Sequence, residues 1–211
     1  MASSASSASS ASSASTLGLL PMTPFVEARQ LVLPGDPVAR PGGLDFDIGP
    51  GLSVVLGGEG RGKSALLRLL AGDVLPAAGR LQRRAATVYL QVPSDAAHDR
   101  VPASAWLAAL RPRFPHWDRG AEVALVEAFG LAEHIDKPLF MLSTGSRRKV
   151  GLVGAASARA ALTLLDAPFA ALDQPSIALL TELLVEAAGL RDRAWVLADY
   201  ALPAGLAGAG L

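Results

Sequence analysis

The octet GGEGRGKS at residues 57–64 constrains this chain more than any other stretch. It fits the pattern GxxxxGK[ST], with Gly57, Gly62, Lys63 and Ser64 at the fixed positions. Glycines let successive backbone N–H groups turn toward phosphate oxygens, the helix that follows adds its positive end, and the lysine reaches the outer phosphates. Such a loop requires a buried strand before it and a helix after it. The apolar run LSVVL ends at Leu56, and the segment that follows places Leu66, Leu67, Leu69 and Leu70 on one helical side, with Gly72 and Pro76 as its stop.

A chance glycine-rich turn is the competing reading, because the chain has 21 glycines. Lysine usage argues against it. Only Lys63, Lys137 and Lys149 occur among 19 basic residues, so an ammonium at position 63 departs from a strong arginine habit. A compact ammonium fits between two phosphates better than a planar guanidinium fork does. The candidate phosphate-loop contacts are Gly57, Gly58, Glu59, Gly60, Arg61, Gly62, Lys63, Ser64 and Ala65, with the Ser64 hydroxyl as a ligand for Mg²⁺.

Further along, ATVYLQ, ALTLLDAP and RAWVLAD are short apolar runs that suit strands buried on both faces, and PSIALLTELLVEAAGL repeats a helical leucine pattern. Strands alternating with such helices predict an α/β domain with a mainly parallel core sheet and its reactive groups at the carboxyl ends of the strands. Residues 92–142 hold two or three helical segments without a strong strand, a helical insertion bounded at about 92–158. Trp106, Trp117 and Phe129 are expected in its core. The first residues repeat Ala-Ser-Ser and cannot bury enough surface to offset chain entropy, so residues 1–20 are expected as a disordered tail and 21–211 as the nucleotide-binding domain.

Charge and composition exclude several classes. Nineteen basic residues balance 19 acidic ones, so no excess positive field holds a nucleic-acid backbone. Without cysteine there are no disulfides, thiolate nucleophiles or sulfur-rich metal sites. His98, His116 and His134 are too widely spaced for a local metal motif. Arg159 interrupts the best apolar run, leaving none of the roughly 20 residues a spanning helix needs. A soluble protein is expected.

The phosphate loop needs a second acid, on a strand that presents it to Mg²⁺ through water. ALTLLDAP supplies Asp166. Together the two motifs predict binding of a nucleoside triphosphate with magnesium.

The order of the remaining motifs resembles the ATP-binding subunits of ABC transporters across roughly residues 25–205. Gln91 ends its strand where that family has the Q-loop glutamine. MLSTGSRRK at 141–149 is similar to the signature LSGGQ, keeping Ser143 and Gly145, and the run ending at Asp173 is similar to the D-loop. The resemblance implies a P-loop NTPase fold with an N-terminal antiparallel β part. It also implies ATP and Mg²⁺ as cofactors, with Gln91, Asp166 and Ser64 around the metal. Its implied partners are a transmembrane permease and a second nucleotide-binding subunit, identical or not, that meets the first head to tail so that Ser143 and Gly145 face the opposite ATP. The protein would then sit on the cytoplasmic face of the membrane.

Four positions depart from the family pattern. Ala167 stands where the family carries the glutamate that polarises the attacking water. Asp199 is the best-aligned occupant of the histidine position near the γ-phosphate. Thr144 and Ser146 alter the signature, and residues 26–40 offer no aromatic side chain to adenine. Triphosphate binding should survive these changes. Water activation, typically about 10²- to 10⁴-fold in rate, should not, which predicts an ATP binder with slow or partner-dependent hydrolysis. An ATP-sensing module that uses nucleotide only as a dimerisation switch is the alternative.

Overall fold

The computed structural model describes residues 23–35, 42–91, 98–203 and 206. The Ala/Ser-rich tail lies outside them. Two sheets organise the chain. The first is antiparallel, in the order β2–β1–β4, built from β1 (Val26–Val32), β2 (Leu44–Ile48) and β4 (Ala78–Arg83). The second is wholly parallel, in the order β3–β7–β6–β5, built from β3 (Gly51–Leu56), β5 (Val88–Gln91), β6 (Leu162–Asp166) and β7 (Ala194–Asp199). These four strands are the apolar runs expected from the sequence.

Every residue of β6 and β7 is buried, as strands covered on both faces must be. Their side chains alternate between two cores. Leu162, Leu164, Ala194, Val196 and Ala198 join Leu66, Leu67, Leu69 and Leu70 of helix α1 (Lys63–Ala71) and the inner residues of β1. Leu165, Trp195 and Leu197 face the opposite way, toward Leu180 and Leu184 of α5 (Gln174–Ala188) and Val150 and Val153 of α4 (Thr144–Ser157). The period-two pleat thus lets one sheet hold the phosphate-loop helix on one side and the helical region on the other.

That region contains α2 (Ala103–Leu110), α3 (Arg119–Ala128) and α4, joined by short 3₁₀ turns; its only β pairing among the described residues is an isolated bridge between Pro102 and Pro138. Phe129 is fully buried there, with Trp106 and Trp117 packed on the same core. The buried Glu122 accepts hydrogen bonds from Arg111, at 2.5 and 3.1 Å, and from the Trp117 indole at 2.7 Å. Burial alone would raise its carboxyl, and these donors more than offset that, holding it below the usual carboxylate range.

One irregularity ties the antiparallel sheet to its glycines. Gln30 bulges out of β1 at φ 50°, and both Gly43 and Gly79 approach its backbone so closely that a Cβ at either would collide with it.

Candidate nucleotide site

The loop between β3 and α1 has the backbone an anion needs. Gly60 and Gly62 lie at φ 69° and 83°, where a side chain would be strained, and a Cβ on Gly62 would also come within 2.9 Å of Leu33. Gly62 is the N-cap of α1, no side chain caps the helix, and its first turn carries no acid. The first intrahelical bond runs from Leu66 N–H to Gly62 at 2.8 Å, so the N–H groups of Lys63, Ser64 and Ala65 precede the hydrogen-bond ladder. Gly58, Glu59, Gly60, Arg61 and Ser64 are exposed. The helix therefore presents its positive end and three N–H donors toward solvent at the loop.

Lys63 is already engaged. Its ammonium donates to the carbonyls of Gly57 and Gly58 at 2.6 and 2.8 Å, and it lies 4.1 Å from the centroid of the Tyr200 ring. Tyr200 is the residue sequence reasoning missed. It follows the last residue of β7, and β7 runs beside β3 with Asp199 paired to Leu56, so whatever follows β7 stands over the start of the phosphate loop. That neighbouring of the first and last parallel strands was not legible from the sequence pattern.

Gln91, Asp166 and Asp199 end the three adjacent strands β5, β6 and β7, and all are buried. Gln91 Oε1 has no hydrogen-bond partner among the described residues, and Gly151 allows the close approach of its side chain, since a Cβ there would stand 3.0 Å from Gln91 Cγ. Asp199 accepts from the Tyr200 N–H at 2.7 Å through Oδ1, while Oδ2 is buried without a partner. Asp199 thus faces inward, and Tyr200, not Asp199, meets Lys63. Ala167 takes a left-handed backbone at φ 43° and donates its N–H to Ala198 at 2.8 Å, which locks the turn after β6 to β7.

Ser143 and Gly145 open α4. Ser143 is its N-cap, accepting from Ser146 N–H at 3.1 Å. Gly145 packs so tightly on the carbonyl of Ala171 that a Cβ could not fit. The basic triplet that follows points three ways. Arg147 pairs with Asp99 at 2.8 Å, Arg148 turns inward to donate to the Ala167 carbonyl, and Lys149 pairs with Asp173 at 2.7 Å. Asp173 also caps α5 by accepting from Ser176 N–H at 3.0 Å. The Lys149 bond first, and then the Ser176 bonds, hold its carboxyl at about 2.

A family model described as ABC transporter matches residues 42–170. The chain belongs to the ABC transporter family. Among its relatives, the cytochrome c biogenesis ATP-binding export protein CcmA of Novosphingobium aromaticivorans is 39% identical over 132 residues, covering 62% of this chain and just under two thirds, 65%, of that protein. The CcmA protein of Brucella abortus (strain 2308) is 35% identical over 177 residues, covering 79% of this chain and 80% of its own length. Solved structures share the fold. An ATP-binding subunit of an ABC transporter superposes with a TM-score of 0.72 at 17% identity over 84% of this chain and 80% of that one. A putative ABC transporter ATP-binding protein from Pyrococcus furiosus gives 0.69 at 17% identity over 85% and 92%.

ABC ATP-binding subunits bind ATP with a divalent metal. The donors this chain offers fit such an ion: the exposed Ser64 hydroxyl, the Asp166 carboxylate at the end of β6 and the unpartnered amide oxygen of Gln91 are all oxygen ligands, the set a hard cation takes. Among the described residues no helix is long and apolar enough to cross a membrane.

Proposed function

We propose that this ABC subunit binds Mg-ATP through residues 57–65 with Ser64, Gln91 and Asp166 around the metal. It pairs head to tail with a second ATP-binding subunit, lending Ser143 and Gly145 to the opposite nucleotide. The closure of that pair drives a membrane permease from the cytoplasmic face. The observation that carries the binding step is the uncapped start of α1, whose N–H groups and lysine face an open loop. A bound metal would screen the phosphate charge, while the N–H groups at the start of α1 and Lys63 grip and orient the phosphates.

Hydrolysis is the weak step. At the turn after β6 the chain offers a methyl group at Ala167, and the inward-facing Asp199 is a carboxylate that repels phosphate, so water positioning falls to the partner or proceeds slowly. Export is the direction supported, through relatives that are named as export proteins. A cavity of about 320 Å³ lined by Tyr89, Gln91, Trp106, Phe114 and Val150 supports a permease contact beside the metal-facing glutamine. An ATP-sensing switch without transport is disfavoured by the same two observations.

Nucleotide binding and turnover of the purified chain, with and without a membrane subunit encoded beside it, test this reading. Mg²⁺-dependent ATP binding with turnover that rises on adding the membrane subunit is expected. Rapid turnover by the chain alone would overturn the slow-hydrolysis assignment, and absence of ATP binding would overturn the whole reading.

A further inference from the structure

A cleft of about 600 Å³ adjoins the phosphate loop and shares Gly57, Gly62 and Lys63 with it. That volume lies within the range of small-molecule sites, about 300–1,000 Å³. Tyr200 stands against Lys63 from the β7 side of the loop, whereas the cleft lies along the other side of β3, the outermost strand of its sheet. A triphosphate held at the start of α1 has a nucleoside to place, and this cavity begins at the same glycines.

Two kinds of wall enclose it. From the antiparallel sheet, Leu33, Leu44 and the half-buried Phe46 supply apolar surface. From β3, Ser53, Val54, Val55 and Leu56 line it in unbroken succession. Side chains of a strand alternate between its faces, so four neighbours share one cavity only where it runs along the strand's edge. Hydrogen bonding agrees. The N–H groups of Gly51 and Gly57 donate to the Arg193 and Asp199 carbonyls at 2.9 and 3.4 Å, so odd-numbered residues turn toward β7. Val54 and Leu56 therefore turn their N–H and C=O outward, where no partner strand meets them among the described residues.

The cleft thus carries a polar strip between apolar walls, and along that strip donors and acceptors alternate. Adenine presents a donor beside an acceptor at N6 and N1, and guanine an acceptor beside a donor at O6 and N1. Main-chain groups can meet either edge. Telling the two apart takes a fixed side chain, such as a carboxylate for the N1 and N2 hydrogens of guanine. The cleft's carboxylate, Asp47, is already bound to Arg29 at 2.6 and 3.1 Å, and the Ser53 hydroxyl can donate or accept.

We propose that this cleft seats the base of the bound nucleotide without choosing between adenine and guanine, with Phe46 as its main apolar contact. This names the nucleotide class for the site described above, and it rests on triphosphate binding at residues 57–65. The ligand is a purine nucleoside triphosphate, GTP as well as ATP.

Calorimetric titration of the full chain with Mg-ATP, Mg-GTP and Mg-tripolyphosphate tests this. The two nucleotides are expected to bind within about threefold of each other, and both at least about tenfold tighter than tripolyphosphate, as burial of an aromatic base requires. Phe46→Ala should remove most of that advantage for ATP and GTP alike and leave tripolyphosphate affinity within about twofold of its starting value. Phe46 also packs on the sheet core, so Leu56→Ala, at a position 54% exposed, gives a second reading that does not depend on Phe46→Ala folding. It should weaken both nucleotides about two- to fivefold and spare tripolyphosphate. A preference of about tenfold or more for either nucleotide, the worth of a side-chain contact to a base edge, would overturn the tolerance. Nucleotides that bind no tighter than tripolyphosphate, or variants that weaken all three ligands equally, would overturn the seat and leave the phosphate loop standing. A chain that binds none of the three would overturn the Mg-ATP reading, and this proposal with it.

Discussion

Lys63 donates to two carbonyls of its own loop and touches the Tyr200 ring, so the proposed engagement with phosphate would be an exchange of partners. The loop carbonyls are neutral acceptors, and a phosphate oxygen is a stronger one. Lys63→Ala should therefore weaken ATP binding by about 10- to 100-fold, the worth of a hydrogen bond to a charged group, as titration with a fluorescent ATP analogue would show. In the proposed exchange the ammonium gives up the ring contact as well. An exposed cation–π contact is worth about 0.5–1 kcal/mol, and Tyr200→Ala, which removes it, should tighten ATP binding about two- to fivefold. Weaker binding in the same titration would mean that Tyr200 touches the nucleotide itself. At this scale the sequence exposed the residues whose spacing is local, such as Gly62, Lys63 and Ser64. It did not expose Tyr200 or Arg148, whose roles depend on which strands lie side by side. A signal for Arg148 existed: three basic residues in succession on a helix point about 100° apart, so Arg147, Arg148 and Lys149 cannot all face solvent when Val150, Leu152 and Val153 face the core.

At the scale of elements, α4 and α5 are fastened by the turn that precedes α5. Asp173 caps α5 and pairs with Lys149 of α4, while Ala171, at φ 60°, presses its carbonyl against Gly145. Asp173→Ala should cost about 1 kcal/mol through the lost cap, the exposed ion pair adding little. The carboxyl is held at about 2, below its unfolded value near 4. Its contribution is thus complete above that unfolded value and fades as the pH falls toward 2. The midpoint difference between the natural chain and Asp173→Ala should shrink over that window in thermal melts. Gly145→Ala drives a Cβ into the Ala171 carbonyl and should lower stability by about 1–3 kcal/mol, the range for overpacking, measured by urea unfolding. The family motif marked Gly145 as an anion contact; the structure adds a packing reason for the same residue. Strands and helices of this size were legible because apolar runs and leucine periodicities are local. The bulge at Gln30 was not, because it depends on the approach of Gly43, just before β2, and of Gly79 in β4.

For the whole molecule, the sheet order β3–β7–β6–β5 places the phosphate loop, Gln91, Asp166 and Asp199 along one edge. Alternating strands and helices predicted a parallel sheet but could not rank its strands. The proposed head-to-tail pairing, with an identical copy as the second subunit, gives a concentration-dependent expectation. Mg-ATP should shift the chain from monomer to dimer in sedimentation velocity, chelation by EDTA should reverse it, and Lys63→Ala should abolish it. A chain that stays monomeric with Mg-ATP bound would exclude an identical copy as the head-to-tail partner.

The position of β7 has a consequence for synthesis. Residues 194–199 form the strand that joins β3 to β6, so everything made earlier is two separate pieces of sheet, β3 alone and β6 with β5. A growing chain cannot join its phosphate loop to the strand that carries Asp166 until residues 194–199 have emerged from the ribosome. Nascent chains wait with apolar strand edges open, exposed to aggregation and dependent on chaperones. A stop codon anywhere before Ala194 should yield not a weaker ATP binder but a fragment that the cell degrades.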